Sequence, residues 1–239
     1  MRGAGALTDE NKIATSATLR RRHDGVLQFL ERPALRWLAI SMPRWVTPDM
    51  LTGIGFLGGI IAAAGYALAA RDAAMLWLAS AGIAVNWFGD SVDGTLARVR
   101  GIERPDYGFF IDNTVDILEY AVFAVGFGLS GYVRWELVLG TLAVFYAMML
   151  IELVKARVTN IFQIAIAGVG LTEVRLGFIV VNAVMYWIPP QPFAIGGLST
   201  TYPNVLSALW IASQVTTFLV IMVTTLRALA AREPPRRGP

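Results

Sequence analysis

The chain has 239 residues, of which 56 % are hydrophobic and only 15 % charged, with a mean hydropathy of +0.57 and a formal net charge of +3. Soluble domains carry about 25 % charge, so these values exclude an ordinary water-soluble domain. The lack of cysteine excludes a disulfide framework and a thiolate metal site.

The first 24 residues are polar and carry Arg20-Arg21-Arg22 without an apolar core. No cleavable signal peptide is expected there, and the segment is expected to form a disordered cytoplasmic end in which His23 is solvated. From Val26 to Ile40, apolar Leu27, Phe29, Leu30, Leu35, Trp37 and Leu38 alternate with Gln28, Glu31, Arg32 and Arg36 at helical spacing. This stretch is too short and too charged to span a bilayer. With Trp37, Trp45 and nearby arginines it suits an amphipathic helix lying in the headgroup layer.

Apolar runs of roughly 20 residues, the length that crosses a bilayer, follow at 50–70, 74–97, 108–131, 135–157, 173–190 and 205–228. The fifth has the shortest apolar core, because it opens on Glu173 and Arg175 and closes on Pro189-Pro190. The expected fold is an all-α integral membrane protein of six transmembrane helices preceded by the interfacial helix. Residues 25–230 form its single domain and 231–239 a disordered tail.

Lysine and arginine are retained on the cytoplasmic side of membrane proteins. Eighteen of the 20 basic residues fall in the amino-terminal segment, the second and fourth connections and the tail, leaving Arg71 and Arg134 for the other side. Both termini and the turn between spans two and three should therefore be cytoplasmic. The positive balance reads as topology, and no nucleic-acid partner is expected, since that would need a basic patch on a folded face.

Four aspartates break this apolar pattern: Asp90 and Asp93 at the end of the second span, Asp112 and Asp116 in the third. One aspartate at the centre of a membrane helix costs roughly 2.5–3.5 kcal/mol, so four unpaired ones cost on the order of 10. At ~100° per residue, Asp90, Asp93, Gly94 and Ala97 lie at about 0°, 300°, 40° and 340°. Gly108, Asp112, Asp116 and Glu119 likewise share one stripe of the next helix. Carboxylates converging from two facing helices call for divalent cations, whose hard oxygen preference suits Asp. Glu119 extends the acidic face by one turn but equally suits a hydrogen bond to a neighbouring helix, and it is left outside the core site. Gly53, Gly55, Gly58 and Gly59 in the first span read as close-packing positions.

The string Asp90-x-x-Asp93-Gly94-x-x-Ala97-Arg98, nine residues, then Gly108-x-x-x-Asp112-x-x-x-Asp116 resembles the motif of the CDP-alcohol phosphotransferase family of phospholipid-synthesising enzymes. All eight fixed positions are present, and the six-span layout is similar to the family fold over most of residues 26–230. The resemblance implies that an acceptor hydroxyl attacks the β-phosphorus of a CDP-linked alcohol such as CDP-diacylglycerol, releasing CMP, with two divalent cations, Mg²⁺ or Mn²⁺, as cofactors. It further implies Asp90, Asp93 and Asp112 as metal ligands and Asp116 as both metal ligand and catalytic base. Gly94 would border the nucleotide and Arg98 would pair with its phosphates or serve as a topology anchor. Thr47-Pro48-Asp49-Met50-Leu51-Thr52 resembles the start of the family's first span, which makes Asp49 and Thr52 nucleotide contacts or simply helix-start residues. The implied partners are the CDP-alcohol lipid, a small alcohol acceptor, membrane lipids and a second copy of the chain.

Lys155, Arg157 and Arg175, at the ends of spans four and five, are candidates for an acceptor phosphate, with the positive-inside rule as their alternative explanation. A metal or proton transporter also gathers carboxylates within its helices. Against it, the acids cluster at one membrane edge and the sequence shows neither a span broken in mid-membrane nor an inverted repeat.

Overall fold

The computed structural model describes residues 20–22, 27–159, 161–163 and 170–233. Among the described residues the framework is seven helices: α1 (Gln28–Ser41), α2 (Pro48–Ala69), α3 (Met75–Arg100), α4 (Pro105–Leu129), α5 (Trp135–Thr159), α6 (Leu171–Trp187) and α7 (Tyr202–Arg232). Each expected apolar run coincides with one of α2 to α7. Three of them, α2, α5 and α7, are long and apolar enough to cross a membrane by length and composition. Acidic residues interrupt the apolar faces of α3 and α4, and α6 has 17 residues, about 26 Å at 1.5 Å per residue against a hydrocarbon core of ~30 Å.

Most of the expected disordered ends, including His23, lie outside the described residues. Two facts bear on the rest. Arg20–Arg22 form a short strand, β1, whose backbone pairs in parallel with β2 (Ile161–Gln163). At the other end α7 continues through Arg232, two residues beyond the expected limit of the helical domain.

Local chemistry sets the helix ends. Thr47 caps α2 by accepting a hydrogen bond from the Met50 N–H at 3.2 Å, and Pro48 occupies the first turn, where its missing N–H costs nothing. Asp72 accepts from the Ala74 N–H at 2.9 Å just ahead of α3. That helix stops at Gly101, whose φ of 64° places it in the left-handed region that a side chain disfavours.

Helices α2 and α3 pack antiparallel along most of their length, and α4 lies beside α2, with Gly59 against Glu119 and Ala63 against Gly126. The α2–α3 seam is nearly bare backbone: a Cβ on Gly82 would sit 2.7 Å from Ala62 Cα, and one on Gly89 would sit 2.5 Å from Gly55 Cα. Small residues let membrane helices approach this closely. Gly55 and Gly58 thus pack as the sequence suggests, whereas Gly53 faces open space and Gly59 makes room for the Glu119 side chain. Nearly half of α2's apolar stretch is buried (44 %), against 17 % of α5 and 6 % of α7, so α2 is central and α7 peripheral.

Two clusters fill the core. In one, Ala62, Tyr66, Leu76, Ala79, Ile83 and Met185 pack with Phe123, Phe127 and Phe178. Here Tyr66 meets Phe123 and Phe127 edge-on at 5.2 and 4.9 Å, an arrangement that suits the ring quadrupoles. The buried Tyr66 hydroxyl donates to Asn182 Oδ1 (2.8 Å), and Asn182 Nδ2 donates to Ser80 Oγ (3.1 Å), tying α2, α6 and α3 together. In the second cluster, Leu35 and Ala39 of α1 pack with Val46, Leu51, Val92 and Leu96, leaving Phe29, Trp37 and Ile40 of α1 exposed.

One arginine shapes the route from α1 into α2. Arg100, at the end of α3, donates to the carbonyls of Met42 (3.1 Å), Pro43 (2.8 Å) and Val46 (2.5 Å). A connection that turns this sharply leaves carbonyls without backbone partners, and the guanidinium fork satisfies several at once.

Candidate active site

The acidic faces of α3 and α4 meet beside the first half of α2. Thr52, Gly55, Phe56, Asn86, Asp90, Asp112, Val115, Asp116 and Glu119 line a common cavity of about 10 Å³, close to the minimum that admits one water. Three of the four sequence-predicted aspartates therefore share one wall. The fourth, Asp93, lies beside it and is buried (8 % exposed). Its Oδ2 accepts from Thr52 Oγ1 at 2.6 Å and its Oδ1 accepts from the Gly94 N–H at 2.5 Å.

Asp90 is paired across the bundle, with Arg175 Nη2 of α6 at 2.7 Å from its Oδ2. The arginine side chain is only 14 % exposed, and a guanidinium placed there offsets part of the repulsion among the carboxylates. Of the three basic residues proposed for an acceptor phosphate, Arg175 reaches the acidic cavity. Lys155 instead pairs with the buried Glu152 of its own helix at 3.1 Å, and Arg157 is exposed.

The carboxylates offer only hard oxygen donors, which fits a divalent cation such as Mg²⁺. Among the described residues, however, no three His, Cys, Asp or Glu side chains converge closely enough to hold one. Asp90 and Asp93 are turned toward Arg175 and Thr52. Like charges separate and take the nearest donors, so binding a cation calls for side-chain rotation about this cavity.

The other candidates are placed as follows. Thr52, expected at the nucleotide, hydrogen-bonds Asp93. Asp49 is exposed and paired with Arg104. A Cβ on Gly94 would lie 3.4 Å from Arg98 Nη1, so the glycine leaves the arginine room to fold over it. Arg98 Nη2 donates to Thr95 Oγ1 at 3.0 Å. With Arg36, Ile40, Thr95 and Val99 it lines an open groove of about 420 Å³ between α1 and α3, beside the acidic cavity rather than within it.

Glu119, left outside the core site by sequence, is on the cavity wall and 9 % exposed. Asn86 is there too and donates to the Gly55 carbonyl at 3.2 Å. A signal for Glu119 was present in its stripe position; for Asn86, one turn before Asp90, there was none beyond polarity.

Residues 45–201, about two thirds of the chain, match the family of CDP-alcohol phosphatidyltransferases. The chain belongs to that family. Its matched region takes in α2 through α6 and with them every wall of the acidic cavity. The chain is similar to archaetidylinositol phosphate synthase of Pyrococcus horikoshii, 38 % identical over 97 residues, which are 41 % of this chain and 48 % of the relative. It is also similar to inner membrane protein YnjF of Escherichia coli K12, 40 % identical over 85 residues, 36 % of this chain and 38 % of the relative. Each similarity thus spans less than half of the curated relative.

Proposed function

We propose that the chain transfers a phosphatidyl-type group from a CDP-linked lipid such as CDP-diacylglycerol to the hydroxyl of a small acceptor, releasing CMP. The observation that carries this reading is the gathering of Asp90, Asp112 and Asp116 around one cavity, with Asp93 held beside it by Thr52. A bound pair of divalent cations, held by Asp90, Asp93, Asp112 and Asp116, would supply neutralisation of the diphosphate and of the departing CMP.

The chain's own residues divide the remaining work. Thr52 donates to Asp93 and keeps that buried carboxylate beside the cavity. Asp116 takes the proton of the attacking acceptor hydroxyl, a role that requires hydrogen-bond reach of that oxygen. Gly94 leaves space on α3 into which the Arg98 guanidinium folds, and a nucleotide packing there would meet that arginine's remaining donors with its phosphate oxygens. Arg175, already at the carboxylates, is the residue to receive an anionic group on the acceptor. The Pyrococcus relative's name puts inositol phosphate first among the anionic acceptors to test.

The same reading places six spans in the bilayer, α1 in its interface and the acidic cavity at the cytoplasmic end, as the distribution of arginine and lysine favours. The outward apolar faces of α5 and α7 are available to lipid or to a second copy.

The test is CMP release by the purified protein in detergent with CDP-diacylglycerol and Mg²⁺, against inositol phosphate, glycerol 3-phosphate, inositol and serine. Release that needs both the metal and one acceptor is expected. Silence across this panel, and with CDP-choline or CDP-ethanolamine plus diacylglycerol, would overturn the transferase and turn attention to cation transport by the same carboxylates.

A further inference from the structure

Glu31 belongs to α1, outside the motif and outside the cavity, yet its Oε1 is a junction between two other helices. It accepts from Trp87 Nε1 of α3 at 2.8 Å and from Thr172 Oγ1 of α6 at 2.8 Å. Trp87 is three residues before Asp90, and Thr172 is three residues before Arg175. On a helix that spacing is about one turn. A single oxygen of α1 therefore bridges α3 and α6 one turn away from the Asp90–Arg175 ion pair, which is itself a contact between the same two helices. A second tie lies alongside: Glu173 accepts from the Leu27 N–H of the α1 start at 2.9 Å, and with its other oxygen from the Gly170 N–H at 2.9 Å, capping α6.

These contacts matter because α6 has few other anchors at this end. Its buried residues, Asn182 and Met185, lie in its second half, where Asn182 joins the Tyr66 and Ser80 network. The first turn of α6, just before Arg175, has polar ties, and apolar packing begins at Phe178, which meets Phe123 edge-on at 5.1 Å. We propose that Glu31 is a positioning residue of the transferase site: by accepting from Trp87 and Thr172 together it fixes the first turn of α6 against α3 and so sets where Arg175 stands relative to Asp90. The bridge acts through the location of one acceptor oxygen, and its charge is not what matters. The functional half of this inference rests on the transferase reading; the geometric half stands without it.

The chain has no cysteine, so spin labels can be placed on Cys introduced at exposed Phe29 of α1 and Val180 of α6, and the distance between them measured in Glu31→Gln and Glu31→Ala backgrounds. CMP release is assayed on the same backgrounds without labels. Glutamine keeps Oε1, so Glu31→Gln should retain a narrow distance distribution and activity within about twofold of the parent. Glu31→Ala should broaden the distribution and lower kcat by about tenfold or more, within the ~100-fold that a 1 Å misplacement can cost. Thr172→Val, which removes one of the two donors, should fall between them.

An alanine variant with unbroadened distances would overturn the proposal whatever its activity. A glutamine variant as impaired as alanine, with its distances still narrow, would overturn it by showing that the charge acts. If the parent protein releases no CMP with any acceptor, the transferase reading fails, and the distance measurement still decides whether Glu31 holds α6.

Discussion

Thr52 is the residue whose role changed most between sequence and structure. The pattern Thr-Pro-Asp-x-x-Thr marks it as a helix-start or nucleotide contact, and the fold turns its hydroxyl onto Asp93 at 2.6 Å. A hydrogen bond to a charged acceptor is worth about 1.5–3 kcal/mol, and each 1.36 kcal/mol is tenfold in rate. Thr52→Val should therefore cut CMP release by roughly 10- to 100-fold, whereas Thr52→Ser, which keeps the donor, should stay within a few-fold. Equal losses in the two would show that the methyl group matters and the bond does not. Asp116→Asn makes a different demand, because its amide oxygen can no longer take a proton. Turnover should vanish while CDP-diacylglycerol still raises the thermal midpoint in the presence of Mg²⁺. Asp90→Asn should lose that thermal shift as well, and matching shifts in the two variants would remove the division of roles. The four aspartates were legible because carboxylates in apolar helices are costly and their spacing repeats the helical turn. The Asp90–Arg175 pair was not, because residues 85 positions apart leave no periodic trace of their contact.

Helix positions could be read from the sequence to within a few residues, since an apolar run bounded by Pro, Gly and charge has one stable form in a bilayer, where every backbone group must be satisfied internally. What joins the helices was harder to see. Arg100 counted only as one more positive charge, yet it holds the carbonyls of the α1–α2 connection. The glycines of α2 looked alike in sequence, and only the fold separates Gly58, packed on the α3 backbone, from Gly53, which faces nothing. That difference predicts opposite outcomes. In Gly82→Leu the new side chain would begin inside the Ala62 backbone, where no rotamer relieves it. The α2–α3 seam must open, and the protein should fail to accumulate or melt many degrees lower in detergent. Gly53→Ala should be neutral or raise the midpoint slightly, because alanine favours the helix by about 1 kcal/mol over glycine. Comparable melting of the two variants would mean that the seam is looser than its contacts imply.

At the scale of the whole molecule, charge and connectivity point the same way. Arg100 joins the end of α3 to the start of α2, and Glu173 joins the start of α6 to the start of α1. At the opposite end Asn204 of α7 accepts from the Arg134 N–H beside the start of α5 (2.9 Å), and the Tyr202 hydroxyl donates to the Ile188 carbonyl (2.8 Å). Between Arg175 and Arg227 the sequence has no charged residue at all, although this stretch includes the hairpin of β3 (Phe193–Ile195) and β4 (Leu198–Thr200). The basic end is thus clearly separated from one where Arg71 and Arg134 are balanced by Asp72 and Glu136, and retention of arginine and lysine in the cytoplasm should orient the molecule. The measurement is thiol accessibility in intact cells, on a chain that supplies no background cysteine. A membrane-impermeant reagent should label Ala73→Cys in the α2–α3 turn and Ser199→Cys in the hairpin. It should reach Glu103→Cys, in the turn between α3 and α4, only after the cells are opened. Labelling of Glu103→Cys from outside would invert the molecule and move the acidic cavity away from the cytoplasmic side on which the proposed transfer depends, which no rearrangement of the site residues could reconcile with that reading.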